Sequence, residues 1–376
     1  MIPDDVVVPP KGRGWLAKIG AGIDWLFGLA AMVGALAAFS VIPFLNFLSL
    51  GYLLHVSGTV ARTGRLRDGF IGVRKASVLG HAVAGVWLVL WPVRLIAEVW
   101  RDAELIAPGG TPATLWRVVL IAVTLLTFAL IVWAFIRGGR LWHFLWPAPL
   151  RLLRWLRSPD KSNAMQSSVG TWLVGLRLPF YFWLGLRGFV GALAWLIVPV
   201  GLLLIATRLP TGGAIALSVP ALLLLVIVAV HLPFLQAHFA ECGRFRAMFE
   251  WREIRARFRR APLAFWIALV VTLLFALPLY LLKIELTPKE LAWAPSVLFV
   301  ILIFPARLLT GWATHRSLRR TDDRHWSIRW FGRLAIVPVA LAYGLAVYLN
   351  PFLSWNGAYS LLEQHAFLVP APLMAL

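Results

Sequence analysis

Four residues near residue 240 carry donor types that a metal ion could use. His231, His238, Glu241 and Cys242 fall at i, i+7, i+10 and i+11, one face of a helix provided that Pro233 does not break it. Imidazole, carboxylate and thiolate together suit zinc or a similar transition metal. The aligned positions of an earlier stretch, however, are Val41, Leu48, Gly51 and Tyr52, and residues 238–242 stand where an apolar run gives way to arginine. The same four residues therefore also read as ordinary polar side chains at a membrane boundary, and no cofactor is expected. The chain has no H-E-x-x-H, no G-x-S-x-G, no Gly-rich phosphate loop and no pair of carboxylates within one apolar run, so no catalytic residue is assigned and an enzyme is not favoured.

Ionisable residues inside apolar runs are the second pointer, because an arginine at the bilayer centre costs at least about 2.5–3.5 kcal/mol on insertion scales. Arg94 and Glu98 lie four apart just past Pro92, where they could pair on one helix face. Arg187 sits in GLRGFVGA, whose Gly185, Gly188 and Ala192 imply close helix packing, and it also reads as an interfacial anchor. Arg307, beside Pro305, lies about two turns from the end of its run and could snorkel out. These four form the candidate intramembrane polar site.

The remaining chemistry is arginine against phosphate. In 244–260, Phe245, Met248, Trp251, Ile254 and Phe258 make an apolar stripe at helical spacing with Arg252, Arg255 and Arg259 on another face, the pattern of a helix lying on an anionic leaflet. In 140–157, Arg151, Arg154 and Arg157 recur every three residues beside Leu152, Trp155 and Leu156. With Arg62, Arg65, Arg67 and Arg257 these are the candidate headgroup contacts, each contributing about 1 kcal/mol near such a surface. Their first reading is as determinants of topology alone, with specific lipid recognition as the alternative.

The elements that must position these groups follow from composition. Of 376 residues 60% are hydrophobic and 14% charged, and the mean hydropathy is +0.81, which excludes an ordinary soluble domain. The net charge of +20 points to anionic phospholipids and not to nucleic acid, since no polar segment is long enough to fold a binding domain. One cysteine rules out an internal disulfide. Windows of about 20 apolar residues predict eight helices near 23–43, 78–98, 115–136, 188–207, 214–234, 262–282, 294–314 and 333–350, an all-α polytopic transmembrane bundle. Ala35-Leu36-Ala37 resembles a signal-cleavage pattern, but hydrophobicity continues to about residue 50, favouring a permanent helix. Basic residues concentrate after the first, third, fifth and seventh predicted helices. By the positive-inside rule those loops face the cytoplasm of a bacterial inner membrane. The three basic residues of the tail 1–22 argue against the outside N-terminus this implies, and a re-entrant segment over 44–56 would remove the conflict.

A repeat organises the reading. Residues 41–67 align without a gap on 231–257: Pro43-Phe44-Leu45-Asn46 on Pro233-Phe234-Leu235-Gln236, then Arg-x-x-Arg-x-Arg in register. Both copies are predicted as helix-exit motifs that turn an apolar run into a basic surface segment. They suggest two similar four-helix halves, 23–207 and 208–351, followed by a tail 352–376. The stretch PFLNFLSLGYLLHVSGTVARTGRLRDGFIGVRK resembles a family of uncharacterised bacterial multi-pass membrane proteins, clearest over 41–75. The resemblance implies an integral membrane location and supplies no activity. Two functions stay open: a non-catalytic protein that organises or senses anionic lipid, and a transporter or permease subunit with a polar pathway between its halves.

Overall fold

The computed structural model describes residues 15–156, 175–275, 294–353 and 357–363. Thirteen α-helices and no strand occur among them, as backbone in lipid requires. In chain order they are α1 (Trp15–Val41), α2 (Asn46–Thr63), α3 (Val73–Ile106), α4 (Thr111–Ile136), α5 (Leu141–Leu145), α6 (Pro149–Leu156), α7 (Leu178–Ala206), α8 (Thr211–Cys242), α9 (Trp251–Arg260), α10 (Pro262–Leu274), α11 (Ala294–Leu318), α12 (Trp326–Leu353) and α13 (Ser360–Glu363). Seven of them, α1, α3, α4, α7, α8, α11 and α12, contain stretches long and apolar enough to cross a membrane. Their large side chains are widely exposed, among them Trp91 on α3, Leu126 and Phe128 on α4, and Ile197 on α7. Helices this apolar on their outer faces belong in lipid, and the chain is a multi-pass membrane protein.

The predicted spans differ from these helices mainly at their ends. Residues 178–187 belong to α7, and α8 runs on to Cys242. The sixth predicted span, 262–282, is represented by the shorter α10, and its remainder from 276 lies outside the described residues.

Packing divides the chain into two compact units, 1–32 with 72–176 and 33–71 with 177–376. This division runs differently from the sequence halves 23–207 and 208–351, because the second unit takes both α2 and α7 from the first of them. In the first unit α3 packs on α4 and α5 around Ala82, Ala134 and Phe144, and Ser77 donates to Asp24 at 2.8 Å. The predicted basic helix over 140–157 is two short helices, since Pro147 cannot donate an amide hydrogen bond and Ala148 takes a left-handed φ of 45°.

The second unit is built around α2. Thirteen of its 18 residues are buried, and it packs on α7, α8 and α11. What lets three helices close on it is the absence of side chains. A Cβ on Gly51 would lie 1.8 Å from the Tyr181 carbonyl oxygen of α7, one on Gly185 would lie 1.9 Å from the Phe47 oxygen, one on Gly58 would lie 2.5 Å from the Ala240 oxygen of α8, and one on Gly311 of α11 would lie 2.3 Å from the Ser57 oxygen. Small residues at crossings are the usual means by which membrane helices approach, because lipid gives no hydrophobic drive to association. Tyr52 adds a hydrogen bond to the Ile71 carbonyl at 2.8 Å.

The reading of Pro43–Asn46 and Pro233–Gln236 as equivalent exits is corrected here. Around Pro43 the chain does turn, α1 ending at Val41, but Asn46 then opens the buried helix α2 instead of a surface segment. Pro233 and Gln236 lie inside α8, which continues for almost two further turns. The points at which both helices stop are Gly64 and Gly243, with left-handed φ of 74° and 71°. Each amide closes the last turn at 2.8 Å, onto Val60 O and Phe239 O. After each glycine comes an extended arginine, Arg65 or Arg244, and a short 3₁₀ turn, Leu66–Gly69 or Phe245–Phe249. The local backbone likeness between the two stretches is therefore Gly64-Arg65-Leu66-Arg67 against Gly243-Arg244-Phe245-Arg246. This also breaks the predicted amphipathic helix 244–260 in two: only α9 from Trp251 is α-helical, while Met248 of the 3₁₀ turn is buried and tied by the Trp195 indole N–H, which donates to its carbonyl at 2.9 Å.

Candidate functional site

The ends of α2, α8 and α11 meet at one end of the second unit, and most of its polar chemistry lies there. The Arg62 guanidinium donates from α2 to the Ala240 and Glu241 carbonyls at 3.0 and 3.1 Å, satisfying carbonyls that the last turn of α8 leaves without an amide partner. Burial holds its pKa below the ordinary arginine value. From α11, His315 Nδ1 lies 2.9 Å from the Ala61 carbonyl. The Arg324 amide donates to the Arg259 carbonyl at 3.1 Å, and Asp323 pairs with the Arg259 and Arg329 guanidiniums at 3.3 and 3.1 Å. Basic segments from three places in the chain are thus held together, with Arg65, Arg67, Arg244, Arg246, Arg252 and Arg255 all exposed.

Within this end the last turn of α8 carries a tight cluster. His238, Glu241 and Cys242 each offer one ligand atom, and these lie within 4.8 Å of one another. His238 Nδ1 is 3.4 Å from Glu241 Oε2 and 3.4 Å from Cys242 Sγ, while its Nε2 is 2.9 Å from Glu250 Oε2. His231, the fourth predicted ligand, is separate: its Nδ1 faces the Ile227 carbonyl of its own helix at 2.7 Å. Arg257 reaches into the cluster from α9, donating to Glu241 at 2.8 Å and to Glu253 at 3.0 Å. Burial alone would lower the Arg257 pKa, but the two carboxylates outweigh it and hold it above the ordinary arginine value. The hydrogen bond to His238 holds the Glu250 carboxyl below the usual range. A cavity of 760 Å³ opens beside the cluster, lined by His238, Cys242, Arg244, Glu250, Trp251 and Arg252 among others.

The predicted headgroup arginines separate accordingly. Arg252 and Arg255 project outward from α9 with no carboxylate partner among the described residues, Arg255 over the Trp251 ring at 5.1 Å. Arg259 is exposed but shares Asp323. Arg257 is not a headgroup contact, being 4% exposed and doubly ion-paired, and Arg62, although exposed, directs its guanidinium to the Ala240 and Glu241 carbonyls. Arg65 and Arg67 are exposed, Arg67 3.8 Å from Asp68. In the first unit Arg151 is exposed; the side chain of Arg154 and all of Arg157 lie outside the described residues.

The candidate intramembrane residues do not form one site. Arg94 and Glu98 are both exposed on α3, with no ion pair between them among the described residues. Arg187 stacks over Phe239 and Phe245 at 5.4 and 5.9 Å, a cation–π anchor. Arg307 is fully enclosed and donates to Gln236 Oε1 at 2.6 Å, so the two polar residues flagged separately are partners across α11 and α8. Asn46 is likewise buried, on α2.

Sequence spacing could not reveal Glu250 as the partner of His238, since no helical period spans the reversal between them. Gly243 was the available signal, because a glycine after a long helix marks a left-handed stop beyond which the chain turns back. No family model, curated protein or solved structure matches the chain.

Proposed function

We propose that this membrane protein is non-catalytic and binds anionic phospholipid headgroups at the arginine-lined end of its second unit, organising or sensing lipid there. The observation that carries the reading is the pairing of two Gly-Arg-x-Arg turns, at Gly64 and Gly243, beside the outward arginines of α9. Arg65, Arg67, Arg244, Arg246, Arg252 and Arg255 are exposed together, while the inward arginine, Arg257, takes the carboxylates. Such a field attracts an anionic leaflet, and the planar guanidinium fits phosphate in bidentate fashion. By the positive-inside rule this end faces the cytoplasm of a bacterial inner membrane, in keeping with the family that residues 41–75 resemble. The transport alternative has less behind it, since Arg307 is enclosed against Gln236 and Arg94 faces outward from α3.

The test is native mass spectrometry of the full chain in mild detergent with added phosphatidylglycerol or phosphatidylcholine. Preferential retention of the anionic lipid, weakened by salt and by combined substitution of Arg65, Arg67, Arg252 and Arg255 with Gln, is expected. Equal retention of the two lipids by the wild type sinks the proposal.

A further inference from the structure

Independently of the lipid reading, we propose that His238, Glu241 and Cys242 form a binding site for a divalent transition-metal ion of the zinc type. The three residues occupy i, i+3 and i+4 of the last turn of α8, positions that share one helix face. A tetrahedral ion with ligands at about 2.0–2.3 Å keeps neighbouring ligand atoms roughly 3.3–3.8 Å apart. His238 Nδ1 already stands 3.4 Å from both Glu241 Oε2 and Cys242 Sγ, so two of the three donor pairs have that spacing, and all three donor atoms lie within 4.8 Å of one another.

The surroundings match what a ligating histidine requires. Glu250 Oε2, 2.9 Å from Nε2, accepts that ring N–H, which places the proton on Nε2 and leaves the Nδ1 lone pair pointing at the other two donors. A carboxylate on the remote nitrogen is the usual support for a metal-bound imidazole. Glu241 is oriented in turn by Arg257, at 2.8 Å. With the imidazole in this tautomer, Nδ1 is an acceptor that faces both Cys242 Sγ and the Glu241 oxygen that Arg257 already holds, and an ion at that point takes the place of the thiol proton. One nitrogen, one thiolate and one carboxylate favour zinc over calcium or magnesium, which prefer oxygen alone. As the ion binds, the Cys242 thiol forms the sulfur–metal bond and gives up its proton to solvent. The cavity beside Cys242 and Glu250 gives the ion a route from solvent and leaves room for a fourth ligand.

The competing account is a metal-free imidazolium shared between Glu241 and Glu250, and the experiment separates the two. Purified full-length protein in detergent is titrated with Zn²⁺ and, separately, with Co²⁺, following bound metal by elemental analysis and the near-ultraviolet thiolate-to-cobalt charge-transfer absorption. One Zn²⁺ per chain is expected, and the cobalt band disappears in Cys242→Ser, whose side chain is exposed and whose folding is checked by gel filtration. Glu250→Gln keeps the band but weakens affinity about 10-fold or more, and His231→Gln changes neither. Less than stoichiometric Zn²⁺, a wild type without the cobalt band, or a His231→Gln effect as large as that of Cys242→Ser overturns the proposal.

Discussion

Substituting Gly185 with Ala tests whether α2 is the core of the second unit. The new Cβ would lie 1.9 Å from the Phe47 carbonyl oxygen, where ordinary contact begins at 3.4 Å, so α2 and α7 would have to part by 3.4 − 1.9 = 1.5 Å. The obstructing atom is backbone, and on the other side Gly51 meets α7 just as closely, its Cβ position 1.8 Å from the Tyr181 oxygen. No rotamer change relieves the clash. A radial gap of 0.5–1 Å already forfeits a quarter to a half of each dispersion contact, and overpacking of this kind costs roughly 1–3 kcal/mol or more. Alanine returns up to about 1 kcal/mol in helix propensity. That same gain, without the clash, is available at Gly201 on the same helix, where an added Cβ meets nothing within 4 Å. Because the propensity gain is common to both variants, unfolding titrations in mixed micelles, followed by circular dichroism, should place Gly185→Ala below Gly201→Ala by the clash alone, roughly 1–3 kcal/mol or more. Equal stability of the two variants would refute the close crossing of α2 and α7.

Other substitutions probe the buried polar groups. Arg257→Gln leaves Glu241 without its ion-pair partner beside His238 and should cost about 3 kcal/mol in the same titration; a loss below 0.5 kcal/mol, typical of surface pairs, would show that the pair is solvated. Gln236→Leu should be strongly destabilising because it strands the Arg307 charge, whereas the double variant Gln236→Leu with Arg307→Met should recover most of the loss; no recovery would mean that the two side chains are not coupled. His55, on α2 outside the seven apolar spans, has its pKa lowered from 6.5 to about 4 by burial and by the Arg62 and Arg177 charges, against the Phe180 and Tyr181 rings. Because the folded state disfavours the protonated ring, stability should be flat above about pH 6.5 and fall between there and pH 4, by on the order of 3 kcal/mol. His55→Leu should abolish that slope relative to wild type, and an unchanged slope would count against the assignment.

Composition and hydropathy were enough for the fold class, since the span helices keep their apolar side chains on the outside and so read as unbroken runs. Gly185, Gly188 and Ala192 likewise announced a close helix contact, and the packing of α7 on α2 explains the two glycines, which face Phe47 and Leu54. What could not be read was the helix that α7 contacts. With Asn46, Ser49, His55, Ser57 and Thr59 in it, α2 is too polar to pass as a span, and yet it is the most enclosed long helix of the second unit. Its polar residues are tolerated because protein surrounds them: the Ser57 hydroxyl donates back to the Leu54 carbonyl, and Ser40 donates to Ser49 at 3.0 Å. Hydropathy measures partition into lipid and is silent about burial among other helices.

The repeat shows the same limit from the other direction. The 190-residue register rested on Pro-Phe-Leu followed by a carboxamide, in a chain where apolar triplets are abundant, and it paired the first residue of a buried helix with the interior of a span. Gly64 and Gly243, 179 residues apart (243 − 64), share a conformation that a residue bearing a Cβ adopts only at a cost, and each is followed by Arg-x-Arg with the same extended first arginine. A motif anchored by a backbone requirement carries more information than one anchored by apolar type, because fewer residues satisfy it by chance. The same glycine stop explains the chemistry that gathers there. By ending α8 at Cys242 and reversing the chain, Gly243 brings Glu250 back to His238 and Arg257 back to Glu241, which no pattern along a continuous 244–260 helix could have done.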